Sequence, residues 1–215
     1  MSLKTIQAKL DEGRQYRNID VSMFERRADD DGEKIVEGYA TTFNQPYVLL
    51  SFDGYTVLEQ IDPAAFEECD LSDVIMQYNH EGRVFARTSN GTLEVNPDSI
   101  GLRVRAKLGG TELGREVFED IDGGYTTKMS FGFRVGEDKR EVTEDHENNT
   151  VTVLRTITKI SKLYDVSAVS IPANDATSIS ARDCANGLIS AIKQEQLSRE
   201  QRERQIKQIQ ILCEM

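Results

Sequence analysis

Histidine and cysteine are scarce in this chain of 215 residues. The three cysteines, Cys69, Cys184 and Cys213, lie far apart and form no C-x-x-C pair, so neither a disulfide framework nor a thiolate zinc site is expected. Two histidines, His80 and His146, are too few for a multi-histidine metal centre. No stretch of about 18 apolar residues occurs and the N-terminus has no apolar signal region, which argues against a membrane span and against secretion. Walker loops, Rossmann fingerprints, H-E-x-x-H and G-x-S-x-G are all missing. Basic charge is also short: 26 Lys and Arg face 37 Asp and Glu, a net charge of −11. A nucleic-acid binder would show a basic footprint instead. These absences describe a protein of a reducing compartment, kept in solution by its own charge and favouring basic partners.

With 38% hydrophobic and 29% charged residues the chain is rich enough in apolar side chains to fold. At roughly 150 residues per domain, its length suggests one domain with appendages. Residues 1–33 are mostly polar and close on Asp29-Asp30-Asp31-Gly32-Glu33, so they read as an arm with local helix at 3–13. Strand patterns then follow at Lys34–Phe43, Tyr55–Ile61 and Val74–Tyr78, with Asp62-Pro63 starting a short helix. Val84–Arg87 and Thr92–Val95 flank Ser89-Asn90-Gly91 and read as a hairpin. Leu102, Val104, Ala106 and Leu108 alternate with basic residues, as in a half-buried strand. Leu113, Val117, Phe118 and Ile121 recur at helical spacing between a Thr111 cap and a Gly123 stop. Gly109, Gly110 and Gly114 belong to that helix start rather than to a phosphate loop. Met129, Phe131, Phe133 and Val135 alternate again. A charged hairpin or loop over 136–149 separates them from strands at Val151–Ile160 and Leu163–Ile171. Many short strands with regular turns predict a mainly β barrel or sandwich with peripheral helices. Residues 181–215 turn polar and helical, with apolar positions at Leu188, Ile192, Ile206 and Ile209, and read as a helical or partly disordered tail.

Three side chains stand out chemically. His80 follows a strand end, where an imidazole suits a proton shuttle near neutral pH. Ser130 lies opposite the apolar residues of its strand, next to Gly132, and needs a base to become a nucleophile. Asp165 sits inside an apolar strand, where a carboxylate must find a partner such as an imidazole. Ser167 and Ser170 are rival hydroxyls in opposite phases, and Ser167 shares a face with Asp165. Nothing singles out two acids as a glycosidase pair. His146, within Glu144-Asp145-His146-Glu147, reads as a solvated loop residue.

Taken in order, Tyr78-Asn79-His80, Thr127-Lys128-Met129-Ser130-Phe131-Gly132-Phe133 and Leu163–Asn174 (LYDVSAVSIPAN) resemble the prohead, or capsid maturation, serine proteases of tailed phages. Gly38-Tyr39-Ala40, Phe43, Asp62-Pro63 with Phe66, and Arg87 add to the likeness, which spans roughly 34–180. The resemblance implies a closed β-barrel of the herpesvirus assembly-protease type as the protease domain. It implies Ser130 as nucleophile, His80 as general base and Asp165 as the acid that orients His80, where the family usually has a glutamate. Herpesvirus relatives use a second histidine, for which His146 is a poor candidate. Arg155 is one of several candidates for an oxyanion donor. No cofactor or metal is implied. The implied substrates are the scaffolding segment of the major capsid protein, or a separate scaffold protein, and the protease itself, cut inside the assembling prohead in the host cytoplasm. A homodimer, and removal of arm or tail by self-cleavage, are further expectations; nucleic acid and membrane are not expected partners. The competing reading is a non-catalytic scaffold- or capsid-binding assembly protein that keeps the same fold and helical tail.

Overall fold

Alternation decides where most strands form, and their apolar positions decide which face turns inward. The structure, a computed structural model, describes residues 13–19, 25–28, 33–169 and 175–213. Ser170, Pro172 and nearly all of the expected 3–13 helix lie outside them. In chain order the elements are β1 (Gln15–Ile19), β2 (Glu25–Ala28), β3 (Lys34–Thr42), β4 (Tyr47–Phe52), β5 (Tyr55–Ile61), β6 (Ile75–Tyr78), β7 (Glu81–Arg87), β8 (Leu93–Pro97), β9 (Gly101–Lys107), α1 (Glu112–Asp122), β10 (Lys128–Asp145), β11 (Thr150–Val169) and α2 (Asp175–Cys213). Local chemistry explains the caps. The Asp62 carboxylate accepts from the Ala64 N–H at 2.8 Å to start a 3-10 turn over Pro63–Phe66. The Thr111 hydroxyl accepts from the Gly114 N–H at 3.0 Å to start α1.

Two sheets enclose the main core. The first runs β1-β10-β11-β5-β4, with β6 joined to β11 and β7 to β6; the second runs β2-β3-β9-β8. Phe43, Leu102, Val104, Phe131, Ile160 and Val166 meet between them. A smaller cluster joins Val57 of β5 and Val153 of β11 to Ala185, Leu188, Ile189 and Ile192 of α2. Leu197, Ile206 and Ile209, farther along α2, are exposed.

The closed barrel expected from the resemblance is not what forms. Among the described residues neither sheet closes on itself. The reason is β11: its first half pairs parallel with β5 over 151–157 and its second half pairs parallel with β6 over 165–168. The first sheet therefore branches and ends in separate edges. Closure needs every strand to share one tilt and shear, which a strand shared between two diverging partners does not provide. The fold is mainly β with two peripheral helices.

Three local expectations also change. Val84–Arg87 and Thr92–Val95 do not pair with each other: β7 pairs with β6, and β8 pairs with β9 in the other sheet. The turn between them carries the chain across. The two strands expected over 151–171 are one strand, β11. Its register against β10 skips Thr158, Ser161 and Tyr164, and these bulges reset the alternation, which imitates a strand break. Within the stretch expected as an arm, β1 and β2 each add a strand to a sheet.

Candidate active site

Strand β10 presents Ser130 because Met129, Phe131 and Phe133 anchor its other face in the core, each no more than 2% exposed. In register, Ser130 lies opposite Ser167 and Gly132 opposite Asp165. These four positions form one patch. Gly132 is fixed by crowding: a Cβ there would overlap the Asp165 carboxylate and come 2.8 Å from the Tyr16 ring. Hydrogen is the only side chain that leaves the carboxylate its place.

His80 comes from a two-residue turn between β6 and β7. Tyr78 and Glu81 pair across it, and Asn79 and His80 both have positive φ, 51° and 60°. That is the pattern of a type I′ hairpin turn, whose twist suits the flanking strands. The Asn79 N–H donates to the Ala168 carbonyl at 3.0 Å, and the His80 N–H to the Ser167 hydroxyl at 3.2 Å. Both bonds pin the turn to β11, so the imidazole hangs over the patch. The left-handed backbone of a histidine costs about 1–2 kcal/mol, and these two bonds help offset it.

The structure brings the three expected side chains into one hydrogen-bonded series. Asp165 Oδ1 meets His80 Nδ1, and His80 Nε2 lies 2.5 Å from Ser130 Oγ. Asp165 also accepts from the Ser167 hydroxyl at 3.2 Å. Far from an edge position, Asp165 sits on a central strand and is 1% exposed; His80 and Ser130 are fully buried. Such a series can carry a proton from a hydroxyl to an imidazole whose tautomer is fixed by the carboxylate. Ser130 has one proton and two partners, because the Arg17 carbonyl lies 2.9 Å from its oxygen. When the proton goes to Arg17, the contact with His80 requires the imidazole to donate.

Other candidates fall elsewhere. Ser167 serves Asp165 and the turn rather than the free side of the imidazole. His146 sits at the exposed tip of the β10–β11 hairpin, 3.9 Å from Glu144. Arg155 donates to Glu59 at 2.6 Å and to Asp138 at 2.6 and 2.9 Å. Ser170 is outside the described residues. Among the described residues no three His, Cys, Asp or Glu side chains gather as metal ligands do.

Sequence reasoning found the strand Tyr55–Ile61 but missed β1 and the part that both strands play beside the site. Tyr16 packs its ring edge on His80 with centroids 4.6 Å apart, and Arg17 puts its guanidinium on Glu59. Glu59 is fully buried. Burial pushes its pKa up, but Arg17, Arg155 and the Tyr47 hydroxyl outweigh this and hold it below the ordinary glutamate range. A signal was present: Val57, Glu59 and Ile61 share a strand phase, which placed an acid on the buried face.

Known proteins provide a frame for this arrangement. No curated protein matches the sequence. In backbone, the chain is similar to the bacteriophage T4 capsid assembly protease gp21, with 11% identity and a TM-score of 0.39 over 73% of this chain and 96% of that one. The sequence model of the Caudovirus prohead serine proteases matches residues 22–190. This span takes in the turn that carries His80 and the strands that carry Ser130 and Asp165. By that match over most of its length, the chain belongs to the Caudovirus prohead serine protease family.

Proposed function

We propose that the chain is a serine endopeptidase in which Ser130 is the nucleophile, His80 the general base and Asp165 the group that orients and stabilises the imidazolium. The observation that carries this reading is the continuous series Asp165–His80–Ser130. Neutral His80 accepts the Ser130 proton at Nε2 as the serine oxygen attacks the scissile carbonyl. The imidazolium then protonates the leaving amine, and water, activated by the same nitrogen, releases the acyl group. Asp165 in place of the family's usual glutamate shortens the reach by one methylene. The type I′ turn is bonded to β11, and His80 lies within reach of this shorter side chain.

The substrates in this reading are the scaffolding segment of the major capsid protein, or a separate scaffold protein, and the protease itself. They are cut inside the assembling prohead. Family membership supports that setting. Co-expression of a Ser130→Ala variant with the capsid protein tests it. Full-length capsid protein should persist with the variant and be trimmed with the wild type; normal trimming by the variant would refute the assignment of Ser130.

A further inference from the structure

Strand β1 lies as an extended segment directly beside Ser130. It pairs antiparallel with the edge of β10 from Gln15 opposite Phe133 to Ile19 opposite Met129. A chain added to a sheet edge is a common way to bind an extended peptide, with backbone bonds giving affinity and pockets giving selectivity. The Ser130 hydroxyl lies 2.9 Å from the carbonyl oxygen of Arg17 on β1, as a donor to it, which sets the Arg17–Asn18 peptide bond beside the serine. Beyond that carbonyl the Arg17 side chain enters a closed polar pocket. Nε meets Glu59 Oε1 at 2.5 Å and Nη2 meets Glu59 Oε2 at 3.0 Å, a two-point fork. Gln15 Oε1 accepts from Nη2 at 2.8 Å. Arg17 is 1% exposed. The family match begins at residue 22, beyond β1.

We propose that β1 is held in the substrate cleft as the chain's own substrate, that Arg17–Asn18 is the bond it cleaves in itself, and that Glu59 selects arginine at the residue whose carbonyl is attacked. The proposal rests on Ser130 being the nucleophile. The pocket is built to outlast its occupant. A buried carboxylate that loses its only cation is strongly destabilising, but Glu59 keeps Arg155 Nη1 at 2.6 Å and the Tyr47 hydroxyl at 2.6 Å when Arg17 leaves. Arg155 in turn stays tied to Asp138. The fork favours a guanidinium over the single ammonium of lysine, and the closed, charged pocket rejects leucine and glutamate.

In the cleavage step, Ser130 Oγ bonds to the Arg17 carbonyl carbon and its proton moves to His80 Nε2. The Arg17–Asn18 C–N bond breaks as that proton passes to the Asn18 nitrogen. One water then hydrolyses the ester. The products are a peptide ending in the Arg17 carboxylate and a chain beginning with the Asn18 amine. Until then β1 covers the nucleophile, and α2 packs against β1.

The test uses the full chain, wild type and Ser130→Ala. Intact-mass analysis follows the N-terminus of each, and each is given peptides of sequence 13–21 with Arg, Lys, Leu or Glu at position 17, together with unfolded casein. The wild type should accumulate the chain beginning at Asn18 and cut the Arg peptide between Arg17 and Asn18. The Leu and Glu peptides should be cut at least about 100-fold more slowly, as befits a buried site left with unmatched polar groups. Glu59→Gln should shrink the preference for Arg over Leu to about tenfold or less. The peptide panel on the wild type decides the matter even if that variant does not fold. Casein cleavage that needs Ser130, with the Arg17–Asn18 bond left intact and no preference for arginine, overturns the proposal while leaving the protease reading in place. Failure of the wild type to cut anything in a Ser130-dependent way overturns both.

Discussion

Gly132 shows how tightly single positions are set around Ser130. Its missing side chain makes room for the Asp165 carboxylate and the Tyr16 ring at once. Gly132→Ala should therefore lower stability by about 1–3 kcal/mol, the usual cost of overfilling a packed site. It should also slow peptide hydrolysis at least tenfold by moving Asp165 off His80. Thermal denaturation and steady-state kinetics measure the two effects, and a fully active, equally stable variant would contradict the packing argument. Glu59 makes a pH prediction. Its folded pKa lies below the ordinary 4.5, because its cations outweigh the effect of burial. A depressed folded value means that its ion pairs add stability fully above pH 4.5 and lose it as pH falls through the folded value. The stability advantage of the wild type over Glu59→Gln should be greatest at neutral pH and narrow below about 4.5. Denaturant midpoints across that range test the sign; a gap that widened in acid would refute it.

Helix α2 divides into two parts with different work. Its first half buries Ala185, Leu188, Ile189 and Ile192 against Val57 and Val153, and Gln196 reaches Glu144 at 3.1 Å. Its second half leaves Leu197, Ile206 and Ile209 in solvent. Leu188→Ala should cost about 2–5 kcal/mol, the range for emptying a core site. A chain ended at Leu197 should unfold within about 0.5 kcal/mol of the full chain, since residues 199–209 are exposed and the Arg199–Glu144 pair lost with them is a surface one. Urea titrations of both variants check this. Equal costs would mean that the far half of the helix also packs on the body.

Burial of the whole site governs its chemistry at the largest scale. Ser130 and His80 are fully enclosed, with β1 on one side and the β6–β7 turn on the other. Reagents reach Ser130 only when something opens, and each 1.4 kcal/mol of opening cost slows access about tenfold. Protein that has lost residues 1–17 should react with a small fluorophosphonate at Ser130 at least about tenfold faster than the full chain. Mass spectrometry of the labelled serine gives both rates, and equal rates would show that β1 is not the cover.

The sequence alone determined most strand faces and singled out the three side chains that the fold brings together. Alternation is local, so Met129, Phe131 and Phe133 declare which way Ser130 points, and Asp165 declares itself as an acid among apolar neighbours. Capping is local too, and Asp62 and Thr111 start their turns as their side chains require. Tertiary pairing decided the rest. Nothing near Tyr16 or Arg17 says that they lie on β10 beside Ser130, because the partner is more than 100 residues away. Nor does any single strand say that β11 will serve β5 with one half and β6 with the other, which is why an open, branched sheet stands where a barrel was expected. Side-chain periodicity fixes a strand's faces, but its edges are filled by whichever distant segment best satisfies the backbone hydrogen bonds.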